Sequence, residues 1–319
     1  MYLQRLLTVI FLAGIFSFAI GNFFDHLYKQ KLSFLFNGDA NEILEGKENY
    51  DIIFLGNSKI HSGIDPYYVD SVTEKKTYNF ALGGADAPEI KLLSTLYLQT
   101  HTAPEIVVLG IDNSMLSSYN ILKERFFYLF YLKNDTISKY MADNGFPARL
   151  IEALPFTKYS FFDEYSRASM FDRRNGIERQ YKGFVVTSLT KVNSMDTSIH
   201  NSEKKPFYRP LPGDENVNDT SANFITEMVK LFVEKGTHVI FLRAPLKYST
   251  QKIFSTPVDS FYTTLSNKYS IPIIRADTSS IFKNEHFADN IHLNENGSKI
   301  LSLLVASYLK KYSESIINR

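Results

Sequence analysis

Five short runs dominated by β-branched and aromatic residues constrain this chain more than any other feature. They are residues 50–55 (YDIIFL), 77–82 (TYNFAL), 106–111 (IVVLGI), 238–243 (HVIFLR) and 271–276 (IPIIRA). Their apolar character is nearly continuous rather than alternating, the pattern of strands covered on both faces. Amphipathic helical stretches separate them. Strands alternating with helices predict an α/β fold with a parallel sheet and right-handed crossovers.

Local signals support the helices. Asp65-Pro66 reads as an N-cap followed by proline at the first helical position, opening a helix toward Lys75. Residues 87–101 place Ile90, Leu93, Leu96 and Tyr97 at helical spacing. Residues 221–235 repeat the stripe with Phe224, Ile225, Met228, Leu231 and Phe232, and Gly236 stands where a C-cap glycine would. Residues 296–312 are amphipathic again. With 319 residues, 44% hydrophobic and 22% charged, the chain has enough apolar surface for a full core, which excludes a disordered or collagen-like class. A net charge of +1 predicts no nucleic-acid surface, and the absence of Cys excludes disulfides, thiolate metal ligands and a cysteine nucleophile.

Residues 6–24 (LLTVIFLAGIFSFAIGNFF) carry no charge. As a helix they would span roughly 28 Å, close to the hydrocarbon thickness of a bilayer. An uncleaved anchor is the leading reading. A cleaved signal peptide, with small residues at Ser17-Phe18-Ala19, and a buried helix are the alternatives. The run is longer than a usual signal core, and a buried globular helix is rarely apolar on every face. Arg5 precedes the span while Asp25, Lys29 and Lys31 follow it, which mildly favours a single-pass orientation with the N-terminus inside and the rest outside the cytoplasmic membrane.

More than a hundred residues separate the third strand from the helix at 221, far beyond an ordinary loop. The expected organisation is therefore an anchor at 1–30 and an α/β domain at 48–318, interrupted by an insertion at 114–218. From 119 to 171 this insertion holds 14 Phe or Tyr in 53 positions. A small helical subdomain with its own core is the favoured reading; an apolar wall for an acyl chain, a membrane surface or a membrane-protein partner is the sharper one. Residues 193–222 are polar and turn-rich, as in an exposed loop.

In an open parallel sheet, ligands bind beyond the carboxyl ends of the strands. The first strand is followed there by Gly56-Asn57-Ser58, the second by Gly83-Gly84, the third by Asp112-Asn113-Ser114, and the fifth leads to residues 289–297 (DNIHLNENG). A serine hydroxyl needs a neighbouring imidazole to become a nucleophile, and His292 is the candidate base. Asp289, three residues earlier, would fix its tautomer. The amides of Ser58 and Gly84 and the Asn113 side chain are the candidate oxyanion donors. Arg243, at the end of the fourth strand, is either a binder of anionic substrate or a salt-bridged structural residue. His61 is a rival base but reads better as a loop residue, and His286 and Glu285 read as surface or supporting residues. No residue spacing suggests a metal cage or a dinucleotide loop, so no cofactor is expected.

These blocks resemble the SGNH, or GDSL-like, hydrolase superfamily. Gly56-Asn57-Ser58 matches its nucleophile motif with Asn57 where Asp is commonest; Gly84 fits the second-block glycine; Asp289 to His292, continued by Leu-Asn-x-x-Gly, matches the last block. The third block departs, since Gly110-Ile111-Asp112-Asn113 stands where Gly-x-Asn-Asp is usual. The resemblance implies a three-layer, flavodoxin-like sheet and a serine esterase or O-acyltransferase with a Ser58–His292–Asp289 triad. With the N-terminal span, the architecture is similar to bacterial envelope members of the D-alanine-transfer and alginate-acetylation type, which work beside membrane-bound O-acyltransferases. That likeness implies an acylated envelope polysaccharide or related polymer as substrate and a membrane-bound O-acyltransferase as partner. A carboxylate in the third block would repel an oxyanion, so a non-catalytic, glycan-binding or scaffold role is the competing reading.

Overall fold

The computed structural model of the chain describes residues 2–32, 38–117, 125–162, 181–186, 217–247 and 256–317. Two compact units emerge, one of Met1–Asn41 with Ile121–Ile177, the other of Glu42–Asn120 with Glu178–Arg319.

The larger unit is built on a five-stranded, all-parallel sheet. Its strands are β1 (Ile52–Leu55), β2 (Thr77–Asn79), β3 (Ile106–Gly110), β4 (His238–Arg243) and β5 (Ile273–Arg275), in the spatial order β2-β1-β3-β4-β5. All five expected strands are present, most of them shorter than the apolar runs that announced them. Strand order reverses between β1 and β3, which opens a crevice at their carboxyl ends. Alternate side chains of each strand feed two cores. Ile52, Phe54, Ile106, Val108, Ile240 and Leu242 cluster with Val69, Leu301, Val305 and Leu309, from the helices Pro66–Thr73 and Glu295–Ile317. Leu55, Val107, Leu109 and Val239 lie on the other side with Met228, Val229 and Phe232 of the helix Asp219–Glu234. That helix packs against Ala87–Thr100.

The helix starts follow the local signals. Asp65 caps Pro66–Thr73 by accepting from the Tyr67 amide at 2.9 Å. Asn218 caps Asp219–Glu234 through the Ser221 amide at 3.1 Å, and Gly236 follows its end with φ +79°. Residues 181–186, within the stretch expected as an insertion, belong to the sheet unit: the Lys182 carbonyl accepts from Asn79 N at 2.9 Å on the edge strand β2, and the Lys182 ammonium pairs with Asp70. A paired edge is protected from association. Of the polar run at 193–222, residues 193–216 lie outside the described residues.

The smaller unit begins with one helix, Tyr2–Leu32. Its stretch Tyr2–Leu27 is long and apolar enough to cross a membrane, and Leu7, Phe11, Ile15 and Phe18 are all exposed. Short helices at Arg125–Tyr128, Asp135–Asp143 and Ala148–Ala153 and a 3-10 turn at Pro155–Phe161 complete it. Phe127, Tyr128, Leu129, Ile137, Met141, Ile151 and Phe162 are buried.

Candidate active site

β1 ends at Leu55, and after two residues the chain enters a single helical turn, Ser58–His61. That turn sits directly on the sheet. A β-carbon on Gly110, at the end of β3, would stand 2.0 Å from Ile60 Cγ1. Only glycine lets Ile60 fill the space above the strands. The far end of the turn is held by Asn79, fully buried at the end of β2, whose amide donates to the carbonyls of Ile60 (2.9 Å) and Ile64 (2.8 Å). Its Oδ1 accepts from the Ala81 amide at 3.1 Å. The Ile64 carbonyl is thereby satisfied inside the protein, and the Ile60 carbonyl, which also accepts from the Gly63 and Ile64 amides, is tied to β2.

The second arm comes from the segment before the last helix. Asp289 Oδ1 accepts from the amides of Ile291 (2.8 Å) and His292 (2.7 Å), folding the chain back on itself. Asp289 Oδ2 lies 2.7 Å from His292 Nδ1, and His292 Nε2 lies 2.8 Å from Ser58 Oγ. A carboxylate at Nδ1 makes that nitrogen the donor, so Nε2 is left to accept the serine proton. The Leu-Asn-x-x-Gly that follows fixes this arm in place. Leu293 is buried, and Asn294 donates from its side chain to the Glu285 carbonyl (2.7 Å) and accepts from the Gly297 amide (3.0 Å). A β-carbon on Gly297 would stand 2.2 Å from the His286 carbonyl oxygen. The Asp289 side chain is 50% exposed and that of His292 22%, so the row opens to solvent. Partial burial pushes the Asp289 carboxyl up, but His292 and the two amides pull harder, holding it below the usual carboxylate range.

Beneath the serine turn lies a cluster that the sequence did not disclose. Asp112, buried after β3, accepts from Asn57 Nδ2 (2.6 Å) and Lys59 Nζ (2.8 Å) on Oδ2. Its Oδ1 accepts from Ser114 Oγ (2.7 Å) and the Met115 amide (3.2 Å). Burial pushes this carboxyl up; the Lys59 charge and the hydrogen bonds from Lys59, Ser114 and Asn57 overcome it and bring it down to about 2. Asn57 and Asp112, the two places where the chain departs from the motifs it resembles, are therefore in direct contact. An amide and a carboxylate face each other, and Lys59 balances the charge.

The remaining candidates are placed as follows. Gly84 lies in the turn after β2 with φ +75°, and Asn113 is buried beside Asp112. The ligand-binding reading of Arg243 is corrected: its side chain is 6% exposed and engaged with Asp259 and, at 3.1 Å, with Asp277. A guanidinium held by two carboxylates in the protein interior is not presented to a substrate. His61 is buried at the end of the serine turn, and it is His292 that meets the Ser58 hydroxyl. Lys59 and Asn79 are the residues that reading the sequence missed. Lys59 directly follows the serine, and Asn79 is a polar residue within an apolar strand run; those were the only signals.

A hydroxyl, an imidazole and a carboxylate in one hydrogen-bonded row can generate an alkoxide-like nucleophile at neutral pH. Among the described residues, no group of three or more His, Cys, Asp or Glu is arranged to hold a metal ion. No protein-family model and no curated protein matches the chain. Several solved structures are similar, and two of them match at low identity. One is a protein from Streptococcus pneumonia provisionally described as a platelet activating factor, 12% identical, with a TM-score of 0.44, covering 92% of this chain and 99% of its own. The other is a provisionally assigned acylhydrolase from Bacteroides fragilis NCTC 9343, 11% identical, with a TM-score of 0.37, covering 82% of this chain and 86% of its own.

Proposed function

We propose that this chain is a membrane-anchored serine esterase or O-acyltransferase that acts on acyl groups of cell-envelope glycans or related polymers on the extracytoplasmic side of the membrane. The observation that carries the catalytic reading is the row Asp289–His292–Ser58, with its links of 2.7 and 2.8 Å. His292 Nε2 takes the hydroxyl proton as Ser58 Oγ attacks the ester carbonyl. The imidazolium that forms is stabilised by Asp289, already ionised. The oxyanion meets the Ser58 amide, which as the first residue of a helical turn has no acceptor within it, together with the Gly84 amide and the Asn113 side chain. Each such donor, if preorganised, contributes about 3 kcal/mol. The alcohol leaves with the proton from His292, and the acyl group stays as an ester on Ser58. Water or a sugar hydroxyl, deprotonated by the same imidazole, then releases it. Exclusion of water from the cleft decides between hydrolysis and transfer.

The third-block carboxylate does not weigh against this reading, because Asp112 is paired with Lys59 and its charge is balanced within the pair. Anchoring rests on the helix Tyr2–Leu27 and its exposed apolar side chains, and sidedness on the charges that flank it. The test uses a serine-directed fluorophosphonate on the full-length protein in micelles, followed by acyl release from acetylated and aminoacylated polymers. Wild type labels, and Ser58→Ala and His292→Ala fold but do not. A folded wild type that stays unlabelled overturns the nucleophile assignment and favours a scaffold role.

A further inference from the structure

In the smaller unit, the segment 148–161 presents two faces. Ala148 and Ile151 turn inward and are buried, while Leu150 (53%), Leu154 (54%), Phe156 (52%) and Phe161 (36%) are left exposed. Leu150 lies on the helix Ala148–Ala153, with Glu152 about half a turn away, and Leu154 stands at the helix's C-terminal cap, where its amide donates to the Leu150 carbonyl. Four large apolar side chains uncovered within a dozen residues call for an apolar neighbour.

The position of this segment along the N-terminal helix says which neighbour. Phe156 meets that helix at Gly21: its backbone nitrogen lies 3.9 Å from where a β-carbon on Gly21 would stand. One turn higher, the Lys158 ammonium pairs with Asp25 at 2.5 Å, and Tyr159 Oη donates to Asp25 Oδ1 at 2.6 Å and packs its ring against Phe24 at 6.2 Å. The uncharged run ends at Phe24 and the first charge after it is Asp25. Phe156 therefore lies roughly 5 Å below the end of the uncharged run, at 1.5 Å per residue, and the ion pair lies just above it. A paired charge at the polar level with apolar side chains one turn deeper is the layout of a monotopic element seated at the boundary between headgroups and acyl chains. Tyr159, with its ring below and its hydroxyl above, fits the same boundary.

We infer that residues 148–161 form a collar that inserts Leu150, Leu154, Phe156 and Phe161 into the outer headgroup–acyl boundary around the membrane-spanning helix, giving the protein a second membrane contact. The inference rests on the anchored reading of that helix.

The chain contains no Trp, so a single introduced Trp is a clean reporter. Full-length Leu154→Trp, Phe156→Trp, Glu152→Trp and, within the span, Phe11→Trp are reconstituted in phosphatidylcholine vesicles brominated either near the headgroup or deeper in the acyl chain. Phe156→Trp and Leu154→Trp are expected to emit at shorter wavelength than Glu152→Trp and to lose at least half their fluorescence to the shallow bromines. Phe11→Trp is expected to respond to the deep ones. Quenching of Phe11→Trp with neither Phe156→Trp nor Leu154→Trp responding overturns the collar and leaves the anchor standing. No quenching of Phe11→Trp overturns the anchor itself, and the collar with it.

Discussion

Removing the Lys59 ammonium while keeping its stem, as in Lys59→Met, tests the buried cluster beneath the serine. Asp112 is held at about 2 against an ordinary 3.8. At 1.36 kcal/mol per pH unit, that lowering corresponds to about 2 kcal/mol of native-state stabilisation. A lowered carboxyl contributes stability that is complete above pH 3.8 and lost as pH falls toward 2. Without Lys59 the strongest opposing influence is gone, burial dominates, and the Asp112 carboxyl rises above 3.8 instead. The orphaned charge then destabilises the fold at neutral pH by about 3–5 kcal/mol, the usual result of breaking one side of a buried ion pair. We expect the lower part of that range, since Asn57, Ser114 and the Met115 amide still donate. As pH drops, the mutant carboxyl takes up its proton first while wild type loses its advantage, so the gap narrows between pH 7 and pH 3. The assay is urea unfolding of both full-length proteins in nonionic micelles across that range, followed by near-ultraviolet circular dichroism of the tyrosines. Equal gaps at pH 7 and pH 3, or no gap at pH 7, would refute the electrostatic account of this cluster.

Four further outcomes follow from the geometry. Asn57→Asp faces Asp112 with a second carboxylate and should lose several kcal/mol at pH 7, whereas Asn57→Asp combined with Asp112→Asn restores one amide and one acid; a double-mutant cycle should give at least ~2 kcal/mol of coupling, and additivity within about 0.5 kcal/mol would contradict the pairing. Asn79→Leu takes the side-chain donor from the Ile64 carbonyl, while the Ile60 carbonyl keeps the Gly63 and Ile64 amides, and unfolding should show a loss of about 1–3 kcal/mol with slower fluorophosphonate labelling. Gly110→Ala drives a methyl into Ile60 and should cost about 1–3 kcal/mol by thermal unfolding, with partial recovery in the Gly110→Ala/Ile60→Ala double variant. Asp289→Asn should slow labelling by about 10³–10⁴-fold with little effect on stability, and because the wild-type carboxyl already lies below its usual range, no loss of rate between pH 8 and pH 5 should trace to its protonation.

How far the sequence alone carried depends on the range of each interaction. The five strands, the Asp65 helix start, the Gly236 helix end and the covered faces of the sheet were legible because hydrophobic period and capping act over a few residues. The Asp289–His292 link was legible for the same reason, since three residues and one turn decide it. The sheet order that sets β1 beside β3 was not written in any one segment. It brings Asn57 to Asp112 across 55 positions, while the packing of the helix Glu295–Ile317 on Pro66–Thr73 accompanies the approach of His292 to Ser58 across 234. Asn57 and Asp112, read separately along the chain, became one hydrogen-bonded pair once those strands lay side by side. Arg243 turned the other way: its position after β4 allowed either a substrate or a salt bridge, and the carboxylates of Asp259 and the buried Asp277 chose the salt bridge. Local propensity is a property of neighbouring residues, whereas charge compensation depends on distance in space, and only the tertiary structure supplies that distance.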